Sequence, residues 1–181
     1  MEADQTAGGI LIMWDKRVLD KVEVMVGAFS VSVKWQGVED GFIWACSGVY
    51  GPNENNERGH IWDELVDIQQ YWRILWCCLG DFNVIRFPSE RLGARRFIRC
   101  MYDFLDFISL HGLMDNPLEG GLFTWSNSTS TSRIDRFLFS PVLVEYFTHF
   151  SQKRLPRVLL AHFPILLEGG SHQRGRIPFH F

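Results

Sequence analysis

Hydrophobic and polar residues alternate along the first third of the chain, and the alternation predicts antiparallel strands. Residues 21–26 and 30–35 place valines, and finally a tryptophan, at every second position. The apolar run at 10–14 predicts a buried strand that precedes them, and residues 42–50 form a further strand candidate. This opening third is therefore predicted to be a mostly antiparallel sheet.

Helical spacing appears in two later segments. The first segment repeats apolar residues every three or four positions, at Ile61, Leu65, Ile68 and Trp72. The second is predicted from about residue 96 to 111, ended by Gly112, with a buried face of Phe97, Met101, Phe104, Leu105 and Ile108. Further strands are predicted at 76–79, 122–126, 133–139 and 163–167, and a helix start at Ser140-Pro141. The order predicts an α/β (α+β) chain with helices covering the outer faces of sheets.

Composition narrows the class of protein. The 181 residues suit one domain, and 46% hydrophobic residues supply a substantial core. A net charge of −3 argues against strong non-specific binding to nucleic acid. The four cysteines lack zinc-ligand spacing, and no apolar run is long enough to cross a membrane. Together with an acidic start that is unlike a signal peptide, these features predict an intracellular protein, nuclear or cytoplasmic and not secreted.

The segment Gly80-Asp81-Phe82-Asn83 is the first candidate for chemistry. An apolar strand delivers a carboxylate and an amide to its C-terminal end, where open α/β sheets place their ligands. Because Asp81 and Asn83 are two positions apart, an extended backbone would project both from one side. Such a pair can bind a hard cation or orient a phosphate oxygen. A simple turn is the alternative, since Asp and Asn favour turns.

Two further candidates also lie at strand ends. Tyr50, before Gly51-Pro52, could direct its hydroxyl at a phosphate, but taken alone it is better explained as a tyrosine packed at a strand terminus with its hydroxyl in water. Asp135 interrupts an apolar strand and needs a partner, for which His162 is one candidate. An Asp–His pair would raise the pKa of the imidazole and fix its tautomer. The alternative is a surface pairing of Asp135 with Arg133 or Arg136.

Two other segments have simpler interpretations. Phe123-Thr124-Trp125-Ser126 alternates aromatic and small polar residues, as the packing of a half-buried strand requires. The charges of Glu90-Arg91 and Arg95-Arg96 are typical of a solvated loop, with a phosphate contact as the lesser alternative.

Taken in order, these segments resemble the endonuclease/exonuclease/phosphatase (DNase I-like) superfamily. The motifs that carry the resemblance are Val49-Tyr50-Gly51-Pro52, Gly80-Asp81-Phe82-Asn83, Thr124-Trp125, Arg133-Ile134-Asp135-Arg136 and His162-Phe163-Pro164. Three further stretches are similar to the endonuclease of plant LINE-type retrotransposons: Gly8-Gly9-Ile10-Leu11 with Trp14, residues 82–93 (FNVIRFPSERLG) and residues 115–126 (DNPLEGGLFTWS). The resemblance covers nearly the whole chain.

The resemblance implies a four-layer sandwich of two mostly antiparallel sheets flanked by helices, and Mg²⁺-dependent hydrolysis of phosphodiesters in DNA. It assigns Tyr50 to support the phosphate, and Asp81 and Asn83 to orient the attacking water, the leaving group or the phosphate. Asp81 is also the candidate metal ligand. Asp135 would pair with His162, which would stabilise the pentacovalent phosphate. It implies no small-molecule cofactor, and oligomeric state is left open.

Two departures from the family pattern bear on activity. The closing Ser-Asp-His motif is Leu160-Ala161-His162 here, so a methyl group stands where a carboxylate belongs. The chain also begins after the family strands that bear an Asn and the metal-binding Glu. We therefore expect a partial, N-terminally truncated domain at 1–168 that lacks the first strands and helix. A flexible tail at 169–181 resembles a linker toward a reverse transcriptase. Marginal stability is expected, because lost strands leave apolar faces and an open strand edge.

The function expected from these features is a DNA-nicking domain of a retrotransposon, catalytically impaired in this chain. A non-catalytic remnant and a DNA-binding module are the alternatives, and the acidic balance counts against the module. An inositol-phosphate phosphatase would share the fold, and the LINE-like segments argue against it.

Overall fold

The computed structural model describes residues 9–54, 57–147, 151–157 and 161–169. Six strands form the main sheet: β1 (Leu19–Val26), β2 (Ser30–Gly37), β3 (Ile43–Tyr50), β4 (Trp76–Asp81), β5 (Met114–Asp115) and β9 (Asp135–Phe139). Their order is β1-β2-β3-β4-β9-β5. All neighbours are antiparallel except β3 and β4, which run parallel. The antiparallel sheet predicted for the first third of the chain is confirmed by the pairing of β1, β2 and β3.

Helices cover one face of this sheet. The helices on this face are α1 (Arg58–Trp72) and α2 (Arg99–Leu110), which pack against the sheet and each other, whereas α3 (Pro141–Tyr146) packs against the other face. Trp62 of α1 stacks on Phe104 and Phe107 of α2, with ring centroids 5.0 and 4.9 Å apart. Such aromatic pairs bury large areas and dominate core energetics. No helix in the described part of the chain is long and apolar enough to cross a membrane.

The second helix begins later than predicted. Residue 98 is extended, so α2 starts at Arg99, and Phe97 lies outside it with 40% of its surface exposed. Met101, Phe104 and Ile108 are buried as predicted, and Phe107 takes the place expected of Leu105. Gly112 follows the helix with a φ of +59°, in agreement with its predicted role as the stop. The residues proposed as its start thus belong to a loop.

The opposite face of the sheet is covered less completely. Val33, Trp35 and Phe139 are buried there beneath α3 and beneath residues 10–14, which were predicted to be a strand. These residues form no strand ladder within the described part of the chain. Leu11 and Met13 point outward and are 79% and 81% exposed. The strand prediction is therefore wrong, because an apolar run marks burial on one side without supplying a hydrogen-bonded neighbour.

Two smaller sheets lie beside the main one. The first consists of β6 (Leu118–Glu119), β10 (Ser151–Arg154) and β11 (Ile165–Glu168), in the order β11-β10-β6. The second is the hairpin of β7 (Trp125–Ser126) and β8 (Thr131–Ser132). The predicted strands at 122–126 and 163–167 both begin later than expected, and β8 occupies the end of the predicted polar turn. Residues 170–181, most of the predicted tail, lie outside the described residues.

A buried cluster of charges fixes the loop that follows β4. Arg136 is fully buried, donates to Asp115 at 2.6 Å and also pairs with Glu90. Arg133 donates to Asp115 at 2.8 Å, and Glu90 accepts the backbone N–H of Arg86 at 2.6 Å. The interpretation of Glu90 as part of a solvated loop is therefore wrong, because its carboxylate joins this loop to β9.

We predict that Asp115→Asn destabilises the fold by about 3–5 kcal/mol, because it leaves the buried guanidinium of Arg136 partly unpaired. The measurement is the free energy of unfolding in urea. Asp106→Asn, on the exposed side of α2, is the matched control and should change this energy by no more than about 0.5 kcal/mol. Equal effects of the two substitutions would contradict the role of the cluster.

Candidate active site

Pairing between strands brings three of the candidate side chains to one edge of the main sheet. Tyr50 and Asp81 are partners in the parallel pair β3–β4, and Asp81 and Asp135 are partners in the antiparallel pair β4–β9. Directly paired residues project to the same face of a sheet. The register alone therefore places a hydroxyl and two carboxylates side by side.

Two glycines allow the ends of β3 and β4 to approach closely. A Cβ on Gly80 would lie 2.1 Å from the carbonyl oxygen of Val49, and its φ of +135° disfavours any side chain. A Cβ on Gly51 would lie 2.5 Å from the carbonyl oxygen of Phe82. Larger residues at these positions would separate the strands and displace Asp81 from Tyr50.

Beyond β4 the chain turns at Asn83. This residue has a φ of +51°, and its backbone N–H donates to Asp81 Oδ1 at 2.8 Å. Its side-chain Nδ2 donates to the carbonyl of Gly51 at 2.7 Å. The idea that Asp81 and Asn83 share one side of an extended strand is therefore wrong, because the backbone is in the left-handed region. The turn still fixes both side chains.

Asp135 and His162 lie in direct contact. His162 Nδ1 is 3.1 Å from each oxygen of the Asp135 carboxylate, and the alternative pairing with Arg133 or Arg136 is not formed. His162 Nε2 lies 3.8 Å from Asp81 Oδ2. The imidazole is therefore placed between two carboxylates.

Backbone hydrogen bonds hold this arrangement in place. His162 pairs with Trp125 of β7, and the N–H of Phe163 donates to the carbonyl of Thr124 at 2.6 Å. The buried hydroxyl of Thr124 accepts the N–H groups of Ile134 and Asp135, each at 3.0 Å. Thr124 thus links the strand of His162 to the strand of Asp135. Its segment was interpreted from the sequence as simple packing, which missed this contribution.

Asp81 and His162 have altered pKa values. Burial, followed by the neighbouring charge of Asp135, raises the pKa of Asp81 to about 6. The hydrogen bond that His162 Nδ1 donates to Asp135 raises the pKa of His162 above its ordinary value. The neighbouring carboxylates therefore favour the charged form of the imidazole.

Asp81, Asp135 and His162 also form a cluster, within the described part of the chain, that could hold a metal ion. One ligand atom each from Asp81, Asp135 and His162 lie within 4.8 Å of one another. Magnesium prefers about six oxygen ligands and commonly takes one or two from carboxylates, with water and substrate phosphate completing the shell. Asp135 is already bonded to His162, so Asp81 is the carboxylate best placed to hold a hard cation. The described side chains thus supply only part of the oxygen ligands that Mg²⁺ prefers.

A cavity of about 360 Å³ opens over these side chains. It is lined by Tyr50, Asp81, Asp135 and His162 together with residues 9–12, whereas Asn83 is not part of its lining. Ala161, next to His162, contributes no ligand atom to it. A larger cavity of about 1120 Å³ at the other end of the sheet has an apolar lining without carboxylates or histidines. The candidate site residues Tyr50, Asp81, Asp135 and His162 therefore gather at the smaller cavity.

Comparison with known proteins supports this picture through structure rather than sequence. No family model and no curated protein sequence matches the chain. An endonuclease/exonuclease/phosphatase family protein from Bacteroides thetaiotaomicron is similar, with a TM-score of 0.60 and 18% identity over 84% of this chain and 65% of that one. The endonuclease domain of TRAS1, a telomere-specific non-LTR retrotransposon, has a TM-score of 0.62 and 12% identity over 88% and 70%.

A third similar structure is a Neisseria 3′ phosphatase bound to a product DNA hairpin, with a TM-score of 0.61 and 15% identity over 79% of this chain and 65% of that one. The present chain thus spans about two thirds of the length of these proteins. At such low identity the similarity shows the fold alone. The fold is of the DNase I-like, endonuclease/exonuclease/phosphatase type, and the fold class predicted from the sequence is confirmed.

We predict that Asp81→Asn stabilises the metal-free protein more at pH 7.5 than at pH 4. The folded chain holds the Asp81 proton up to a pKa of about 6, whereas the unfolded chain releases it near pH 4. Stability from the protonated group is therefore lost as pH rises through this window, by up to about 3 kcal/mol. Asparagine at position 81 does not titrate, so the variant does not lose this stability as pH rises.

Urea unfolding in EDTA at several pH values measures the effect. The advantage of Asp81→Asn over the unmodified chain should grow from pH 4 to pH 7.5, and the difference for the control Asp106→Asn should stay constant. An advantage that stays constant or shrinks with rising pH would contradict a raised pKa of Asp81.

Proposed function

We propose that this chain is a nuclease-type phosphodiesterase domain that acts on DNA, of the kind found in retrotransposon endonucleases. The observation that carries the proposal is the convergence of Asp81, Asp135 and His162 at one cavity, with His162 Nδ1 3.1 Å from Asp135. Similarity to the TRAS1 endonuclease domain and the LINE-like segments of the sequence support the retrotransposon origin.

His162 is proposed to stabilise the phosphate as negative charge develops on it. Asp135 accepts the Nδ1 hydrogen and favours the charged form of the ring, since it raises the pKa of His162. The Nε2 hydrogen can then be donated to a phosphate oxygen in the cavity. Preorganised donors of this kind are a large source of catalysis, because they need no rearrangement as the charge forms.

Asp81, Asn83 and Tyr50 would complete the site. Asp81, with a pKa of about 6, is ionised at neutral pH and can accept a proton from an attacking water. Asn83 is held rigidly by Gly51 and would orient the water or the leaving group. Tyr50 would support the phosphate. Mg²⁺ held by Asp81 would polarise the phosphate and offset charge on the leaving oxygen.

The same geometry supports a low rate in this chain. Ala161 precedes His162, and a methyl group can neither accept a proton nor bind a cation. Among the described residues, Asp81 and Asp135 are the carboxylates that reach the cavity, and Asp135 is occupied by His162. Weak binding of Mg²⁺ and slow cutting follow.

We predict that Ala161→Asp raises the nicking of supercoiled plasmid DNA with Mg²⁺ by about 100-fold, the usual contribution of a positioned acid or base. The unmodified chain should cut near background. Asn83→Ala and His162→Ala, each made in the Ala161→Asp chain, should return the rate to background, because both remove groups that act directly on the phosphate or the water.

Two results would contradict this account. Rapid cutting by the unmodified chain, lost in Asn83→Ala, would show that its catalytic set is complete. A folded Ala161→Asp chain that binds Mg²⁺ and still does not cut would remove the case for phosphodiester hydrolysis and favour a non-catalytic remnant.

A further inference from the structure

Arginines are concentrated in the segment that leaves the candidate site. Residues 86–99 contain five arginines and one acidic residue, Glu90, although the whole chain has a net charge of −3. The remainder of the chain is therefore more acidic than the total suggests. A local basic surface can attract a polyanion even when the overall charge is negative.

Backbone pairing places part of this segment in line with His162. Arg91 pairs with Ser132, Ser132 with Trp125, and Trp125 with His162. Neighbouring strands lie about 4.8 Å apart, so three steps separate Arg91 from His162 by about 14 Å. The row is a rigid, hydrogen-bonded ribbon, and it fixes the distance between the basic segment and the candidate site.

Three of the arginines keep their charge available. Arg91 Nε donates to the hydroxyl of Ser132 at 2.9 Å, which orients its guanidinium without neutralising it. Arg95 and Arg96 are exposed and have no acidic partner within the described part of the chain. In contrast, Arg86 lies 3.7 Å from Asp115 and is already paired.

Exposed aromatic rings lie beside these charges. Phe97 and Tyr102 are 40% and 54% exposed, with ring centroids 5.3 Å apart. Phe97 also meets Phe87 edge to face at 6.4 Å. Aromatic rings interleaved with arginines suit nucleic acids, because bases stack on rings while phosphates pair with cations. This combination favours a nucleic acid over an acidic protein.

We propose that Arg91, Arg95 and Arg96 form a binding track for the phosphodiester backbone of a nucleic acid that extends away from the phosphate at His162. The sequence interpretation of this loop as merely solvated is replaced by its lesser alternative, a phosphate contact. The proposal rests on the proposed function for the placement of the substrate, but binding itself requires no cutting.

The test measures binding in EDTA by fluorescence anisotropy of a labelled 20-base-pair DNA duplex over a range of salt concentrations. Neutralising each phosphate contact contributes about 0.9 to the slope of log K against log salt. In the triple variant Arg91→Gln, Arg95→Gln, Arg96→Gln the magnitude of this slope should therefore be smaller by about 2–3. At 0.1 M salt its affinity should fall at least tenfold.

The matched control is Lys16→Gln, Arg17→Gln, Arg73→Gln. It removes the same charge from exposed positions near the opposite end of the sheet, before β1 and after α1. The control should retain most of the slope. Circular dichroism and the Tm should be unchanged in both triple variants, since all six side chains are partly or fully exposed.

Three outcomes would overturn the track: an absence of binding to both the duplex and a single strand at low salt, an unchanged slope in the arginine variant on both forms, or equal losses in the control. A labelled single strand, run in parallel, identifies which form the track prefers, and a loss of slope in the variant on either form supports it. Failure of plasmid nicking by the folded, Mg²⁺-binding Ala161→Asp chain, with a normal arginine-dependent slope, would overturn the proposed function and leave the track intact.

Discussion

The site depends on two carboxylates that strand pairing forces together. Asp81 and Asp135 are direct partners on β4 and β9, and both are largely buried. Two such charges repel each other and are poorly solvated, which raises the pKa of Asp81. The imidazole of His162, within 4 Å of each, offsets that cost. The chemistry expected of this protein therefore depends on two neighbouring carboxylates that repel each other and that the strand pairing holds together.

The surrounding structure stabilises the two carboxylates in this arrangement. Thr124 ties Asp135 to the strand of His162, and the pairs of Arg136 with Asp115 and Glu90 fix β9 to the loop after β4. Thr124, Asp115 and Arg136 are far more buried than their polarity would suggest, and the hydrogen bonds they form offset much of the cost of removing them from water. A rigid polar frame keeps the carboxylates from separating to relieve their repulsion.

The sequence predicted those parts that depend on local patterns. Alternating residues predicted β1 and β2, and helical spacing predicted α1. Ordered motifs located Asp81, Asp135 and His162 before any contact between them was known. The paired carboxylates, however, follow from the register between β4 and β9, which no local pattern encodes. The buried role of Glu90 was missed for the same reason, because its partner Arg136 is 46 residues away.

Sequence patterns also failed where only one side of a segment is buried. Residues 10–14 have the apolar character of a strand, yet Leu11 and Met13 face outward and no ladder forms among the described residues. Asn83 was expected in an extended chain, but a turn with positive φ delivers it. In both cases the residue types were informative, while the backbone conformation was set by contacts distant in sequence.

The most direct test of the account is the NMR titration of the His162 ring in the metal-free protein, assigned by comparison with His162→Gln. We predict a pKa above the ordinary histidine value that falls when Asp135 is replaced by Asn, because the hydrogen bond that His162 donates to Asp135 is the main cause of the rise. A His162 pKa at or below the ordinary value, insensitive to Asp135→Asn, would contradict it.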